Sequence, residues 1–398
     1  MATSRIGIWL IGARGGAATT AIVGLSAIQK GLIGPTGLVS HLPQFERLDL
    51  APWTDFLVGG HEIRNVALTD AAMLLVTDSG TVKPELLEQV GPELNGIDKR
   101  IRPGTLYKVG KTIASLADTG LPEDESPRET VDRLKRDFGE FAETNDLEHV
   151  IVVNLASTEP PVDGSAIPPT WAELEPLLAD AGKCPVSASS LYAIAALDSG
   201  CSYVNFTPSV GSSPAAISEL AELRGTRHTG CDGKTGETLM KSVVAPMFAR
   251  RNLQVMSWVG HNIFGNMDGQ VLNDPANKQS KVTSKDHLLH EILGYRPQTL
   301  VTIEFIESLG DWKTAWDHVH FTGFLGVPMA LQFTWQGCDS ILAAPLVLDL
   351  VRFTDLARRR GETGLMTFLA SFFKSPLGVE EHRFDRQFAM LEDWASRK

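Results

Sequence analysis

Apolar runs alternate with amphipathic stretches along the first half of the chain. The apolar run 6–11 is followed by the glycine-rich segment GARGGAATT and then by an alanine-rich amphipathic stretch that ends at Gln29. A continuous apolar run bounded by turn residues is typical of a buried strand, and the amphipathic stretch is typical of a helix. The segment therefore predicts a strand, a glycine turn and a helix.

The same alternation recurs further along the chain. A strand pattern at 56–58 precedes a predicted helix at 69–75, and the β-branched run 149–153 ends in the polar sequence NLASTE. The charged segment 118–135 is predicted to be a solvated loop that enters a helix. Strands that alternate with helices indicate a parallel sheet, whose ligands bind beyond the carboxyl ends of the strands. Both the glycine turn and NLASTE are expected at that edge.

The pattern changes after about residue 250. Four long β-rich runs follow: LQVMSWVG, TLVTIEFIESL, HVHFTGFLG and MALQFTWQG. Fewer helical stretches separate them, which indicates a second domain with a more antiparallel sheet. From Ser340 the chain returns to a helix that is apolar on nearly every side, so we expect it to be buried.

Composition narrows the class of protein. The 398 residues suggest two or three structural units. The net charge of −12 argues against a nucleic-acid partner, because phosphodiester backbones would be repelled. Four cysteines without CxxC spacing indicate a reducing compartment. No apolar stretch approaches the ~18 residues of a membrane span. We therefore expect a soluble, cytoplasmic protein without a membrane partner.

The glycine turn is the first candidate for chemistry. A dinucleotide site needs a tight turn after a strand and helix N–H groups that face the pyrophosphate, and Gly12, Gly15 and Gly16 supply both. In the strict G-x-G-x-x-G pattern only Gly12 fits, because Arg14 and Ala17 occupy the other two glycine positions. A glycine-rich turn without a ligand remains an alternative.

The acidic residue that usually follows a dinucleotide turn by ~20 positions is missing. Glu62, in the sequence GGHEI after the next predicted strand, is a weaker candidate for binding the ribose hydroxyls.

A cluster of lysines and amides is the second candidate. It runs from Thr235-Gly236 through Asn262 and GNMDG to NKQSKVTSK, which contains Lys278, Lys281 and Lys285. Lysines four residues apart share one helical face and favour an anionic partner. A solvated helix start is the alternative, and the sequence leaves both open.

Lys313 is the third candidate, in the sequence GDWKTAWDH between Asp311 and two tryptophans. Aromatic neighbours desolvate an ammonium group and lower its pKa toward the range useful for proton transfer. Simple packing of the lysine stem on the tryptophans is the alternative.

Two histidine pairs have spacings that bear on metal binding. His318 and His320 share one face of a predicted strand, and His287 and His290 lie three apart on a predicted helix. Neither pair has an evident third ligand. We therefore expect core or hydrogen-bonding histidines and predict no metal site.

Several of these segments together resemble the inositol-3-phosphate synthase (myo-inositol-1-phosphate synthase) family. The likeness is carried by GNMDGQVLNDPANKQSKVTSKDHLLHEIL, GDWKTAWD and CDSILAAPLVLDLV, in matching order and separation, and extends through NLASTE, NFTPS and HTGCDGKTGET. The resemblance implies an α/β fold: a Rossmann-type doubly wound parallel sheet from residues 1–240 and 343–398, with an inserted α+β catalytic and tetramerisation domain at 241–342.

The resemblance also implies an activity. D-Glucose 6-phosphate would be oxidised at carbon 5 by bound NAD, enolised, cyclised by an intramolecular aldol step and reduced to 1D-myo-inositol 3-phosphate. The net reaction is an isomerisation that serves inositol and phospholipid biosynthesis. A homotetramer is expected, and the need for a monovalent or divalent cation is left open. A paralogue acting on another phosphosugar, a simple NAD-linked dehydrogenase and a non-catalytic NAD-binding regulator are the alternatives.

The resemblance assigns residues at positions that match the family motifs. Catalytic roles are implied for Lys281, Lys313, Lys374, Asp232 and Asp339. Binding of the substrate phosphate and hydroxyls is implied for Thr235, Gly236, Asn262, Asn266 and Lys285. Cofactor contacts are predicted for Gly12, Ala13, Arg14, Gly15, Gly16, Ala17, Glu62, Asn154, Ser157 and Asp311.

The implied roles of the lysines are electrostatic. Lys281 would polarise the oxygen that becomes the carbon 5 ketone, and Lys313 and Lys374 would stabilise the enolate and aldol oxygens. The substrate phosphate itself is the candidate base for enolisation. One position departs from the family: Arg14 stands where relatives carry glycine, which implies altered pyrophosphate contacts or a direct ion pair.

Overall fold

Two β-sheets organise the chain in the computed structural model, which describes residues 5–118, 120–122, 124–265 and 288–397. Within these ranges the strands are β1 Arg5–Ile11, β2 Phe56–Glu62, β3 Ile101–Pro103, β4 Leu147–Asn154, β5 Ser202–Asn205, β6 Arg227–Gly230, β7 Gln254–Phe264, β8 Gln298–Phe305, β9 Trp312–Thr322, β10 Pro328–Cys338 and β11 Gly364–Leu365.

Helices connect these strands. The labelled α-helices are α1 Gly16–Gln29, α2 Leu68–Thr77, α3 Pro84–Asp98, α4 Lys111–Ala114, α5 Pro127–Thr144, α6 Trp171–Leu174, α7 Ala188–Asp198, α8 Ala215–Arg224, α9 Gly236–Arg250, α10 Asp339–Arg359 and α11 Phe384–Ser396. Residues 288–293 are also helical. The 3₁₀ turns are Val39–His41, Pro43–Phe45, Trp53–Asp55, Gly164–Ala166, Glu175–Ala179, Glu307–Leu309, Phe324–Gly326 and Thr367–Phe372.

The larger sheet has the order β3-β2-β1-β4-β5-β6-β11 among the described strands, and each of its pairings is parallel. In its centre Ile8 of β1 pairs with Val58 on one side and with Ile151 on the other. The strand order reverses between β1 and β4, and doubly wound sheets bind their ligands at such a reversal. The predicted Rossmann-type parallel sheet is confirmed.

The larger sheet is covered on both faces, because side chains alternate along its strands. Ile8 and Leu10 of β1 pack with α1, α2, α3, α10 and α11, whereas Trp9 and Ile11 pack with α5, α7 and α8. Each of these four side chains is at most 3% exposed. The 6–11 run is apolar at consecutive positions because both faces of its strand are buried, as is typical of parallel sheets.

Helix α5 shows how the local sequence sets a boundary. Ser126 precedes the helix, its hydroxyl accepts a hydrogen bond from the Glu129 backbone N–H, and the Glu129 carboxylate accepts from the Ser126 N–H. This capping box satisfies two N–H groups that the first turn leaves without helical partners. Pro127 occupies the first helical position, where no N–H is needed. The predicted loop therefore enters a helix, as expected.

The smaller sheet has the order β10-β9-β7-β8, with β9 antiparallel to β7 and β10 and with β7 parallel to β8. One face packs on α9 and on residues 288–293, through Phe248, Trp258 and Val319. The other face is open, with Leu300 50% exposed and Trp316 44% exposed. The predicted second sheet is thus present and mostly antiparallel.

Helices α9 and α10 join the two sheets. The predicted domain limits, between residues 240 and 241 and between 342 and 343, fall inside α9 and α10. Helix α9 leads from β6 of the larger sheet to β7 of the smaller sheet, and α10 leads from β10 back to β11, each without a break. The division into domains at these positions stays a prediction. None of the described helices combines the length and apolarity that a membrane crossing requires.

The His318–His320 pair does not lie in the core, which was one of the two roles predicted for it. His318 is exposed and His320 is half-buried, on the open face of the smaller sheet, because Val319 between them takes the buried position. His290 is half-buried, and His287 lies outside the described residues. No group of three His, Cys, Asp or Glu side chains suited to a metal ion occurs in the described part of the chain.

His149 is a buried histidine that makes stability depend on pH. Its Nε2 and the Ser202 hydroxyl are hydrogen-bonded at 2.7 Å. Burial, with smaller contributions from the charges of Arg358 and Arg227, lowers the pKa of His149 to about 3. In the unfolded chain the pKa is about 6.5. Between these values the unfolded chain binds a proton that the folded chain does not, so stability falls as the pH falls through this window.

We expect His149→Gln to flatten this pH dependence, because glutamine does not titrate and still has a polar group for Ser202. From pH 7 to pH 5 the wild type should lose about 2 kcal/mol more stability than the variant. Urea denaturation at pH 7, 6 and 5 measures this difference. Parallel stability profiles for the two proteins would show that His149 does not titrate as described.

Candidate active site

A cavity of about 640 Å³ follows the carboxyl ends of the strands in the larger sheet, from β2 to β6. Its volume is within the range of small-molecule and cofactor sites, ~300–1,000 Å³. The predicted site residues that line it are Gly12, Arg14, Gly15, Gly16, Ala17, Glu62, Asn154, Ser157, Asp232, Thr235, Asp311, Lys313, Asp339 and Lys374. Residues far apart in the sequence therefore share one cavity.

The glycine turn after β1 brings its backbone close to the turn after β4. Gly12 has φ +77°, and a Cβ at this position would lie 3.0 Å from the Cα of Ala156. A side chain is therefore excluded by both conformation and space. Helix α1 begins at Gly16, so its N-terminal N–H groups and dipole favour an anion at the cavity. Ala13 is fully buried and packs behind the turn against Gly60.

Glu62 ends β2 and is buried at the rim of the cavity. Its carboxylate accepts hydrogen bonds from the backbone N–H groups of Arg14 and Ile63, both at 2.9 Å, and pairs with the Arg64 guanidinium at 3.1 Å. The Arg14 guanidinium is directed at Asp98, with a contact of 2.8 Å. Arg14 of the glycine turn therefore forms its ion pair with Asp98 of the same chain.

Asn154 ends β4 and organises the next turn. Its side-chain NH₂ donates to the Asn205 side-chain oxygen and to the Thr207 hydroxyl, both at 3.2 Å. Its side-chain oxygen accepts from the Ala156 N–H at 3.2 Å. Because this network fixes the backbone beside the glycine turn, the wall of the cavity is rigid here.

Lys374 and Asp232 form the first lysine–carboxylate pair of the site. The Lys374 Nζ lies 2.9 Å from Asp232 Oδ1, and both side chains are largely buried. Two loops hold the pair together: the Lys374 N–H donates to the Asp232 carbonyl, and Cys231 and Ser375 exchange backbone hydrogen bonds. Asp232 has φ +63°, a conformation that non-glycine residues adopt at a cost of ~1–3 kcal/mol and that clusters at functional sites.

Lys313 and Asp339 form the second pair, with 3.6 Å between Nζ and Oδ2. Asp339 is the first residue of α10, so the helix dipole faces the cavity here. Asp311 lies beside them and accepts from the thiol of Cys338 at 2.9 Å and from the Ser340 hydroxyl. The site therefore combines two ammonium groups with three carboxylates.

The interpretation that tryptophans surround Lys313 is wrong. Trp312 and Trp316 are 39% and 44% exposed. Alternation along β9 places them on the opposite side of the strand from Lys313. The aromatic neighbour is Phe264, the cross-strand partner of Lys313 on β7, whose ring centroid lies 5.1 Å from Nζ.

Some predicted residues lie elsewhere or outside the described part of the chain. Asn262 is fully buried and is not among the lining residues, and its NH₂ donates to Glu237 at 2.7 Å. Gly236 begins α9 with φ +57°, one residue beyond the lining residue Thr235. Asn266, Lys278, Lys281 and Lys285 lie outside the described residues.

Other lining residues escaped the sequence analysis. Arg64, Tyr192 and Ser340 line the cavity, and none of them was a candidate. Ser340 belongs to the CDSILAAP segment that carries part of the family resemblance, so the sequence could have indicated it as a site residue. Arg64 and Tyr192 reach the cavity through the tertiary fold, and no motif in the sequence indicates their position.

The cavity has two chemically different halves. The half near β1 and β2 offers glycine backbone, a helix N-terminus and a buried acceptor, which fits a dinucleotide with its pyrophosphate and ribose. The half near β6 and α10 offers two paired ammonium groups, which fit an anionic small molecule that develops negative charge during reaction. The two halves are continuous.

The chain is similar to inositol phosphate synthases along nearly its whole length. The family model described as myo-inositol-1-phosphate synthase matches residues 6–396. An inositol-3-phosphate synthase 1 from Bacteroides thetaiotaomicron is 34% identical over 406 residues, which cover 96% of this chain and 92% of that protein. An inositol-3-phosphate synthase from Dictyostelium discoideum is 25% identical, with 89% of this chain and 75% of that protein covered.

Solved structures show the same fold. The inositol-3-phosphate synthase of Caenorhabditis elegans superposes with a TM-score of 0.89 at 24% identity, and covers 99% of this chain and 86% of its own. A myo-inositol-1-phosphate synthase-related protein from Thermotoga maritima superposes with a TM-score of 0.80 at 25% identity, and 99% of each chain is covered. From the near-complete family match and the bacterial relative, we conclude that this chain belongs to the myo-inositol-1-phosphate synthase family.

Proposed function

We propose that this protein is an NAD-dependent isomerase that converts D-glucose 6-phosphate to 1D-myo-inositol 3-phosphate. One observation carries the proposal: two lysine–carboxylate pairs and a dinucleotide-type glycine turn line a single cavity in a chain of this family. An isomerase that oxidises its substrate with NAD and later reduces it again must hold the cofactor and the sugar phosphate side by side. The continuous cavity meets that need.

The dinucleotide half of the cavity fits NAD. The turn at Gly12, Gly15 and Gly16 is the proposed pyrophosphate site, and Glu62 is the proposed acceptor for the ribose hydroxyls. Asn154, Ser157 and Asp311 line the cavity toward the lysines and are proposed to orient the nicotinamide half. When bound, NAD supplies reversible oxidation of a sugar carbon.

The lysine half of the cavity is proposed to stabilise the negative charge that develops on sugar oxygens. Lys313 and Lys374 each keep a carboxylate partner, so the ammonium groups are oriented before substrate arrives. Such fixed charges stabilise an enolate or an aldol alkoxide without reorganising. Asp232 and Asp339 orient the lysines or relay protons. From the family pattern, Lys281 is proposed to polarise the oxygen that becomes the ketone, and Lys285, Thr235 and Asn266 are proposed to bind the substrate phosphate and hydroxyls.

We also propose a homotetramer in the cytoplasm, formed through the smaller sheet. At the tip of the β9–β10 hairpin, Phe324 and Leu325 are 90% and 83% exposed, and Leu300 and Trp316 are exposed on the open face. Clustered apolar exposure of this kind is typical of protein–protein interfaces. We propose that a second copy of the chain covers this apolar surface. The mass of the protein in solution, measured by light scattering, tests the proposed oligomer.

The activity is tested by product analysis. Purified protein is incubated with D-glucose 6-phosphate and NAD, with sodium, potassium, ammonium or magnesium present in turn, and the mixture is followed by ¹H and ³¹P NMR. We expect the signals of an inositol phosphate to appear and to depend on added or bound NAD. Absence of any product under every cation condition would reject the proposed function.

A further inference from the structure

Lys234 is a buried lysine that the proposed chemistry does not use. It follows Asp232 by two residues, but its side chain is 3% exposed and is not among the lining residues of the cavity. The Nζ donates a hydrogen bond to the side-chain oxygen of Gln387 on α11 and lies 6.0 Å from the centroid of the Phe384 ring. Among the described residues no carboxylate forms an ion pair with this Nζ. Lysine is rarely buried without such a pair.

Gln387 is held in place as the acceptor. It is fully buried, and its Nε2 donates a hydrogen bond to the backbone carbonyl of Glu381. Because a carbonyl oxygen can only accept, this bond fixes the orientation of the amide and directs Oε1 at Lys234. The fold therefore provides a defined hydrogen bond between α11 and the loop 231–235.

The burial of Lys234 lowers the stability of the folded chain. Burial lowers the pKa of Lys234 to about 7, against a smaller opposing effect of the Glu381 charge. In the unfolded chain the pKa is about 10.4. Between these values the unfolded chain binds a proton that the folded chain does not, so stability falls as the pH falls through this window. An apolar side chain of similar length would avoid this cost, which indicates that the amine serves function rather than stability.

The loop that carries Lys234 also holds the strained backbone of Asp232, which has φ +63°. The Lys374 N–H donates to the Asp232 carbonyl at 2.6 Å, and the Lys234 N–H donates to the Phe372 carbonyl at 2.8 Å. The loop therefore lies between the cavity, where Asp232 pairs with Lys374, and α11, where the Lys234 side chain is bound. A strained conformation persists only where several contacts determine it, and the bond from Lys234 to α11 is one of them.

We infer that Lys234 is a positioning residue for the Asp232–Lys374 pair, and that its bond to Gln387 makes α11 part of the support of the active site. The inference rests on the proposed function, because it assigns an effect on turnover. Lys234 itself has no contact with substrate or cofactor in this account. When its bond to Gln387 is broken, the loop gains freedom and the Lys374 ammonium loses its fixed direction.

The first test separates turnover from stability. In the double variant Lys234→Met/Gln387→Met both polar partners are replaced by apolar side chains, so the urea midpoint at pH 7 should equal or exceed that of the wild type. We nevertheless expect kcat to fall by about 10- to 100-fold, because a displacement of ~1 Å at a reacting group has effects of this size. NADH affinity should stay within about threefold of the wild type.

Two further variants complete this test. Lys234→Met alone should show the same loss of kcat, and it replaces the double variant if that protein does not fold, as judged by circular dichroism. The matched control is Arg250→Met, which breaks another contact of α11, the 2.8 Å ion pair with Asp385 that is about half exposed. The control should keep wild-type kcat.

Hydrogen exchange measures the position of the loop without reference to activity. In both Lys234 variants, peptides that cover 231–235 and 372–375 should exchange about 10-fold faster, the equivalent of losing one hydrogen bond. Peptides from α5 should exchange as in the wild type. Mass spectrometry of the intact folded protein after labelling and digestion gives these rates.

The outcomes separate this inference from the proposed function. Wild-type kcat in a folded Lys234 variant overturns the inference, whether its urea midpoint or its exchange rates change or not. Loss of turnover with unchanged exchange at 231–235 and 372–375 overturns it as well. A wild-type protein that makes no product contradicts the proposed function instead, and faster exchange in the variants would then still show that Lys234 holds the loop against α11.

Discussion

Lys374→Met is expected to lower kcat by about 100- to 1,000-fold, the usual cost of removing one group that stabilises an oxyanion. Methionine keeps the length and packing of the side chain but removes the charge that faces the cavity. NAD affinity should stay within about threefold of the wild type, since the glycine turn and Glu62 are untouched. Product formation under saturating substrate, with NADH binding measured in parallel, separates the two effects.

The matched control for Lys374→Met is Lys183→Met. Lys183 also pairs with a carboxylate, at 3.1 Å from Asp180, but its side chain is 72% exposed and lies outside the cavity lining. The control should keep wild-type kcat. Wild-type turnover in a folded Lys374→Met protein would mean that Lys374 has no part in the chemistry, and Asp232 would then need another explanation for its buried, left-handed conformation.

Lys241→Met is expected to destabilise the protein by about 3–5 kcal/mol, the cost of leaving one partner of a buried ion pair uncompensated. The Lys241 Nζ lies 2.7 Å from Glu237 Oε1, and the two side chains are 1% and 0% exposed. The same carboxylate accepts from Asn262 at 2.7 Å, and the ammonium lies over the Trp258 ring. The pair therefore joins α9 to β7 of the smaller sheet.

Urea denaturation followed by tryptophan fluorescence measures this loss. Adding Glu237→Gln to Lys241→Met should recover much of the stability, because the charge that paired with Lys241 is removed as well and the glutamine oxygen still accepts from Asn262. The matched control is Lys30→Met, which breaks a pair of the same 2.7 Å length with Glu93 at about one-third exposure and should cost less than about 1 kcal/mol. Equal losses for the two single variants would contradict the importance of burial.

Much of the larger sheet could be predicted from the sequence because its signals are local. The 6–11 and 149–153 runs are apolar on both faces, and their ends carry the turn residues that place Gly12 and Asn154 at the cavity. The order of the strands was not predicted, because right-handed crossovers fix the hand of each βαβ unit but not which strands become neighbours.

The candidate site was harder to predict because its pairs are distant in sequence. Asp232 and Lys374 meet only through the loop that follows β6 and the turn that follows Thr367–Phe372. The tryptophans beside Lys313 were misjudged because neighbours in a strand point to opposite faces, while the true aromatic partner, Phe264, comes from another strand. The burial of Asn262 against Glu237 likewise depends on α9 packing on β7.

The central claim is that one cavity holds a redox cofactor and a charged sugar phosphate and returns the cofactor unchanged. The direct measurement supplies D-glucose 6-phosphate in ~100-fold excess over NAD and records product by NMR together with absorbance at the wavelength where NADH absorbs. We expect many equivalents of inositol phosphate per NAD and no net rise in absorbance. A steady accumulation of NADH matched by an oxidised sugar, with no cyclised product, would contradict the account.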